Sequence, residues 1–301
     1  MTSTKELVCE NLVKKYKDVI AVNDVTLTID QGKIYGLIGR NGAGKTTLLS
    51  LLTAQTAASS GTVTYGGETV WENQEVLDNL CFSREISAQM QGGFGAYKVK
   101  EYLRIASIYY PNWDAEYASK LIETFGLDVK KKIAKLSKGM LSMITIVLAL
   151  ASKANITMLD EPVAGLDVVA RELFYELLLD EYTNTGRTFI ISTHIIEEAA
   201  KVFEEVIMID NGKILLKENT DVLVGNCHYI SGKEEDVADI TSGLKVLHTE
   251  KMGRSMSACV QLNEGEKITE IVAGRDVDVT PVPLQKIFVY LSGNVKEETH
   301  E

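Results

Sequence analysis

The chemistry in this chain concentrates in three short stretches. Gly39-Arg40-Asn41-Gly42-Ala43-Gly44-Lys45-Thr46 reads G-x-x-x-x-G-K-T, a pattern that cradles phosphate. Its glycines let backbone N–H groups turn toward phosphate oxygens. A helix starting where the loop ends adds a partial positive charge at the same spot. Lys45 is expected to reach the β- and γ-phosphates of a nucleotide and the Thr46 hydroxyl to hold Mg²⁺. Thr47 and the loop residues around them complete the expected nucleotide contacts.

The second stretch is Ile156-Thr157-Met158-Leu159-Asp160-Glu161, an apolar run ending in two acids. Alone, it is equally a strand that ends in a solvated acidic turn. Behind a phosphate loop it reads differently: Asp160 would hold Mg²⁺ through water, and Glu161 would polarise the attacking water. Adjacent residues at a strand end are expected to point different ways, which would divide the two tasks. The third stretch, Leu136-Ser137-Lys138-Gly139-Met140, precedes an apolar helical run. Ser137 there is a natural N-cap. With the N–H of Gly139, it also makes an anion-binding helix end.

The elements that must position these residues follow from periodicity. Residues 33–38 form a short apolar strand before the phosphate loop, and residues 46–52 have helical apolar spacing after it. Alternating runs at 7–12 and 22–29 read as antiparallel strands with Tyr16 between them. Residues 62–65 add a strand. A helical region follows: 99–109, then a break at Pro111-Asn112-Trp113-Asp114. A helix capped by Asp114 then runs to Phe125 and stops at Gly126, followed by a helix at 137–151. Helices at about 169–182 and 195–203 alternate with strands at 156–159, 188–192 and 206–209. Asp210-Asn211-Gly212-Lys213 is a hairpin turn. Near residue 218 the character changes. Strand 227–230, helix 234–240, strands 244–248 and 255–262, helix 267–272 and strand 277–280 give β-α-β-β-α-β, the ferredoxin-like order. A last helix spans 284–291, with Leu284, Ile287, Phe288 and Leu291 in one stripe.

Composition narrows the function classes. The chain has 301 residues, 45% hydrophobic and 24% charged, values typical of a protein with a sizeable core. A net charge of −11 argues against a dedicated nucleic-acid binder. Cys9, Cys81, Cys227 and Cys259 form no C-x-x-C pair. They read as reduced cytosolic thiols. The longest apolar candidate, residues 141–151, is about half of the roughly 20 residues that a membrane span needs. A membrane role would therefore come through a partner.

Taken together and in order, these stretches resemble the nucleotide-binding subunits of ATP-binding-cassette (ABC) transporters. The resemblance covers roughly residues 5 to 217. Gly39 to Thr46 is similar to the Walker A loop, Leu136 to Met140 to the signature (usually L-S-G-G-Q), and Ile156 to Glu161 to Walker B with its catalytic glutamate. Gly165-Leu166-Asp167 looks like the D-loop. Tyr16 stands at the place of the aromatic that stacks on adenine, and His194 at that of the switch histidine. Either one alone is more often a structural strand-end residue. The chain departs from the usual pattern in three places, one of them Leu141-Ser142-Met143, which lacks the basic residues often found there. Glu85 stands where the family places a glutamine that touches Mg²⁺ and water, with Gln89 and Gln91 nearby. Lys138 and Met140 replace a signature glycine and glutamine.

The resemblance implies an α/β fold: a P-loop ATPase core with an antiparallel β subdomain and a helical subdomain at about 90–152. The implied division is an ATPase domain at 1–217 and a ferredoxin-like accessory domain at 218–301. It implies ATP and Mg²⁺ as ligands. Glu161, His194, Lys45 and Glu85 would be catalytic, and Thr46, Asp160 and Glu85 would face the metal. The nucleotide would meet Tyr16, Gly39 through Thr47, Ser137 and Gly139. The implied partners are an integral membrane permease, resembling that of bacterial drug or antibiotic exporters, and a second ATPase copy, identical or a close paralogue. No nucleic acid is implied. The expected location is the cytoplasmic face of the membrane. Two alternatives stay open: a soluble cassette ATPase that moves nothing, and a regulatory membrane-associated ATPase. A GTPase is disfavoured, because no Asn-Lys-x-Asp motif occurs.

Overall fold

The computed structural model describes residues 5–86, 94–263 and 265–294. The chain forms two compact units: Met1–His194 with Ile209–Ile214, and Ile195–Met208 with Leu215–Glu301.

The first unit opens with the long hairpin β1 (Leu7–Tyr16) and β2 (Val19–Ile29). Tyr16 is the last residue of β1, paired with Val19, so the expected separate position between strands is corrected. The lysine pair at 14–15 hides the end of the strand from an alternation test. Next come β3 (Ile34–Ile38), α1 (Lys45–Leu52), β4 (Ser60–Tyr65), β5 (Glu68–Thr69), α2 (Gln74–Leu77) and β6 (Leu80–Ser83). Four of these strands make the antiparallel sheet β2-β1-β4-β5.

The helical region comprises α3 (Val99–Ser107), α4 (Ala115–Thr124) and α5 (Lys138–Ala151). Asp114 caps α4 by accepting from the Tyr117 N–H at 2.8 Å. Gly126 stops it with φ +60, the left-handed conformation that glycine adopts freely. From Ile144 to Ala151, α5 is buried on every side, which accounts for its all-apolar sequence. No helix among the described residues is long and apolar enough to cross a membrane.

Then follow β7 (Ile156–Asp160), α6 (Val168–Thr185) and β8 (Thr188–Thr193). Strands β3, β8, β7 and β6 lie side by side in that order, each pair parallel. Every residue of β3, β7 and β8 is buried. Helices cover both faces of such a sheet, so its strands read as continuous apolar runs. The C-terminal ends of β3 and β7 place the phosphate loop and the acidic pair next to each other.

A buried charge cluster ties this sheet to the helical region. Glu181 of α6 receives Lys153 at 2.8 Å and Arg187 at 2.9 Å. Arg187 also donates to Leu150 O and Ala154 O, each at 3.1 Å, and its guanidinium lies over the Phe189 ring. Burial pulls the Arg187 pKa down and Glu181 opposes the shift.

The second unit contains α7 (Ile196–Ala199), which runs into a 3₁₀ turn at Ala200–Val202. β9 (Glu205–Asp210) and β10 (Lys213–Asn219) have residues in both units. After α8 (Thr220–Gly225) come β11 (Cys227–Lys233), α9 (Glu234–Thr241), β12 (Lys245–Met252), β13 (Ser255–Gln261), α10 (Ile268–Ile271), β14 (Val277–Pro281) and α11 (Leu284–Asn294). The sheet order is β12-β13-β11-β14, antiparallel throughout. That is the ferredoxin-like arrangement expected from element order. Val237 and Ile240 of α9 pack on Ile230, Met256, Ala258 and Val260. Leu284, Ile287 and Phe288 of α11 are buried and Leu291 is half-buried, and α11 packs on α7 and β12. Tyr290 stacks on His248 and its hydroxyl meets that of Tyr229 at 2.8 Å.

The four cysteines are free and buried. Burial pushes the thiols of Cys9 and Cys227 up to about 11 and that of Cys259 to about 12, which leaves them unreactive at neutral pH.

Glu181→Gln strips the carboxylate from the buried Arg187 and the half-buried Lys153. It is expected to lower the unfolding free energy by about 3 kcal/mol, measured by urea denaturation. Replacing Glu181 and Arg187 together with leucine and methionine should cost less than that.

Candidate active site

The phosphate loop owes its shape to backbone packed where side chains would otherwise stand. A β-carbon on Gly39 would lie 2.6 Å from Ile209 O, and one on Gly44 would lie 2.4 Å from Ala21 O. Gly44 also has φ +109 and forms the N-cap of α1. The hairpin turn at 210–213 braces the loop, since the Gly212 N–H donates to Ala43 O at 2.9 Å. Lys45 is buried, and its Nζ donates to Gly39 O at 2.7 Å while lying 3.4 Å from Glu161 Oε1.

Asp160 ends β7 with only 7% of its surface exposed. A buried carboxylate needs donors, and two hydroxyls supply them. Thr46 Oγ1 donates to Oδ2 at 2.6 Å, and Ser192 Oγ of β8 donates to Oδ1. Ser192 also accepts the Glu161 N–H, at 3.1 Å through its carbonyl and 3.1 Å through its hydroxyl. Sequence reading assigned Ser192 no role. Its only signal was a hydroxyl two residues before His194, at the end of a strand that neighbours the acidic strand.

Glu161 has φ +51, the left-handed region in which non-glycine residues are uncommon. The chain turns out of β7 at this residue. The acids therefore diverge because of a backbone reversal, not because of the simple pleat alternation expected. Glu161 Oε2 lies 2.7 Å from His194 Nδ1. Its Oε1 is buried and receives no hydrogen bond among the described residues, although the Lys45 ammonium stands nearby. The Glu161 carboxylate is thus held between the Lys45 ammonium on Oε1 and the His194 ring on Oε2.

Ser137 caps α5 through the Met140 N–H at 3.2 Å. Gly139 is tightly placed, because a β-carbon there would lie 2.6 Å from Gly165 O. Ser142 Oγ donates to Ala164 O at 2.6 Å, and Asp167 caps α6 at the Ala170 N–H. Gly139 and Gly165 thus lock the third stretch to the segment that follows Glu161. Tyr16 is 48% exposed, with Lys14 Nζ 5.0 Å from its ring centre. Glu85 pairs with Lys138 at 3.0 Å. Gln89 and Gln91 lie outside the described residues.

A hydroxyl and a carboxylate in direct contact are hard oxygen donors. Mg²⁺ is held by one or two carboxylates together with substrate phosphates, so Thr46 and Asp160 fit that ion.

Comparison with known proteins converges on the same reading. A family profile described as "ABC transporter" matches residues 22–164. The chain is 32% identical over 232 residues to the ABC transporter ATP-binding protein NatA of Bacillus subtilis, covering 74% of this chain and 89% of that one. The chain belongs to the ABC transporter ATP-binding proteins. It is similar along nearly its whole length to the Nod factor export ATP-binding protein I of Burkholderia lata, 28% identical over 96% of this chain and 97% of that one. Among solved structures, the ATP-binding subunit of an ABC transporter is 26% identical, with TM-score 0.62 over 71% of this chain and 90% of that one. A dimeric bacterial ABC cassette shares the fold at TM-score 0.62 and 21% identity. As an ABC ATPase subunit of a transporter, the protein binds and hydrolyses ATP.

Ser192→Ala removes a donor to Asp160 and an acceptor for the Glu161 N–H. A hydrogen bond to a charged group is worth about 1.5–3 kcal/mol, so kcat/KM for ATP is expected to fall at least tenfold in steady-state assays.

Proposed function

We propose that this ABC ATPase powers a separate integral membrane permease, acting as an exporter, with a second ATPase copy as its partner. The observation that carries the catalytic part is the approach of Lys45 and Thr46 to the neighbouring carboxylates Glu161 and Asp160. In this reading Lys45 leaves the loop carbonyls to neutralise phosphate charge, and Tyr16 offers its exposed ring to adenine. Thr46 and Asp160 hold Mg²⁺, which when bound neutralises charge developing on the phosphates. Glu161 orients and polarises the attacking water, and His194 fixes the Glu161 carboxylate from its other side. Ser137 and Gly139 would face the nucleotide bound by the second copy. The ATPase domain spans 1–217 and the accessory domain 218–301.

The exporter reading draws on the Nod factor export relatives, to which the chain is similar almost end to end. The partner reading draws on a cleft of about 460 Å³ lined by Phe82, Tyr102, Ile105, Tyr109 and Leu148. Tyr109 itself is 73% exposed, and its neighbour in sequence, Ile108, is 76% exposed. Exposed large apolar groups rimming a cleft mark interaction sites. The proposed place is the cytoplasmic membrane face, reached through that partner. Detergent extraction and affinity purification of the tagged chain should recover an integral membrane protein. Recovery with ribosomes, DNA or soluble proteins alone would favour a cassette ATPase that moves nothing.

Glu161→Gln keeps size and hydrogen bonding but removes the basic oxygen. The variant is expected to bind ATP with parent affinity and to hydrolyse it at least about a hundredfold more slowly in single-turnover assays, the scale of a lost general base. Turnover at the parent rate would remove Glu161 from this role.

A further inference from the structure

Two of the residues at which the chain departs from the usual family pattern meet in space. Lys138 Nζ lies 3.0 Å from Glu85 Oε1. Their side chains are 58% and 50% exposed, and exposed pairs of this kind add little to stability. What the pair joins gives it a different use.

The stem of Lys138 lies against the segment after Walker B. A β-carbon on Gly165 would fall 2.8 Å from Lys138 Cγ and 3.2 Å from the Gly139 nitrogen. Gly165 has φ +78, so glycine there satisfies both the backbone conformation and the close approach of the lysine stem. One helical turn on, Ser142 Oγ holds Ala164 O at 2.6 Å. The Ala164 N–H in turn donates to Glu161 O at 3.1 Å. On the other side, Arg84 and Ile86, which flank Glu85, line the cleft of about 460 Å³, and so do Thr145 and Leu148 of α5. Contacts therefore run without a gap from the cleft wall through Glu85 and Lys138 to Gly165, Ala164 and Glu161.

We propose that Lys138 is a positioning residue for ATP hydrolysis. Its ammonium anchors Glu85 and its stem braces Gly165, so the turn that carries Glu161 keeps its place while the ion pair is made. A half-exposed pair is cheap to break, and displacement of the Arg84–Ile86 segment by a partner in the cleft would reach Glu161 through it. The proposal rests on Glu161 being the carboxylate that polarises water.

A charge-reversal cycle on the full chain tests it, with kcat and KM for ATP measured beside thermal unfolding. Lys138→Glu and Glu85→Lys are each expected to lower kcat about fivefold with KM unchanged, the signature of a lost transition-state contribution. The melting temperature should move by no more than about 2 °C, as for an exposed pair. Lys138→Glu combined with Glu85→Lys restores the pair with its charges exchanged and should turn over at least about threefold faster than Glu85→Lys alone, a coupling that independent sites do not show. Lys138→Arg, which keeps charge and stem, should behave as the parent. Additive losses in the double variant, or an unchanged kcat in Lys138→Glu, would overturn the proposal. A Glu161→Gln sample in the same series separates the two readings. If it turns over normally, the assignment of Glu161 falls and this proposal with it. If it is inactive while the cycle is additive, only the link through Lys138 falls.

Discussion

A carboxylate buried at the end of a central strand sets the terms for this structure. Asp160 is 93% buried, complementing its 7% exposure, and a charge in that position is tolerated only with donors in place. One donor comes from Thr46 at the start of α1 and the other from Ser192 near the end of β8. To bring them together, the strand before the phosphate loop, the strand before the acids and the strand before His194 must end at the same level. The parallel register of β3, β8 and β7 achieves that, with Asp160 opposite Ser192 and Ile38 opposite Thr193. The hydrophobic runs that bury those strands therefore also set where Thr46, Asp160 and Ser192 meet.

Close backbone approach is the second constraint, and glycine is its instrument at a few defined points. Gly39 and Gly44 admit the carbonyls of Ile209 and Ala21 to the loop, while Gly139 admits that of Gly165 to the first turn of α5. The motif glycines are commonly explained by what they offer a phosphate. Here several are required by neighbouring backbone before any ligand is considered, which locks the loop to Ala21 and Ile209, and separately locks the signature turn to the segment after Walker B.

Much of this was legible in the sequence because function and fold share a code. The parallel strands read as unbroken apolar runs, Asp114 and Ser137 announced their helices as caps, and the order of short elements after residue 218 matched the sheet order β12-β13-β11-β14. What escaped was set by contacts between distant residues. Ser192 is one hydroxyl among many until β8 lies beside β7. At the reversal, the Glu161 N–H donates to both the carbonyl and the hydroxyl of Ser192. Lys138 and Glu85 were separate oddities until folding paired them across 53 positions of sequence. The short helices α2 and α8 escaped because four and six residues carry too little periodicity. Their caps, Asn73 and Asn219, with Glu75 and Asp221 in the first turns, are the local signal.

The central claim is that Thr46 and Asp160 act as one unit that places the metal on the nucleotide. The most direct measurement is the Mg²⁺ concentration giving half-maximal ATP hydrolysis in the parent, Thr46→Val, Asp160→Asn and the double variant. If the two act together, Asp160→Asn should raise that concentration by about tenfold or more, and adding Thr46→Val should change it little further, because residues of one unit are non-additive. Equal Mg²⁺ dependence in the parent and Asp160→Asn, or effects that simply multiply in the double variant, would contradict the account.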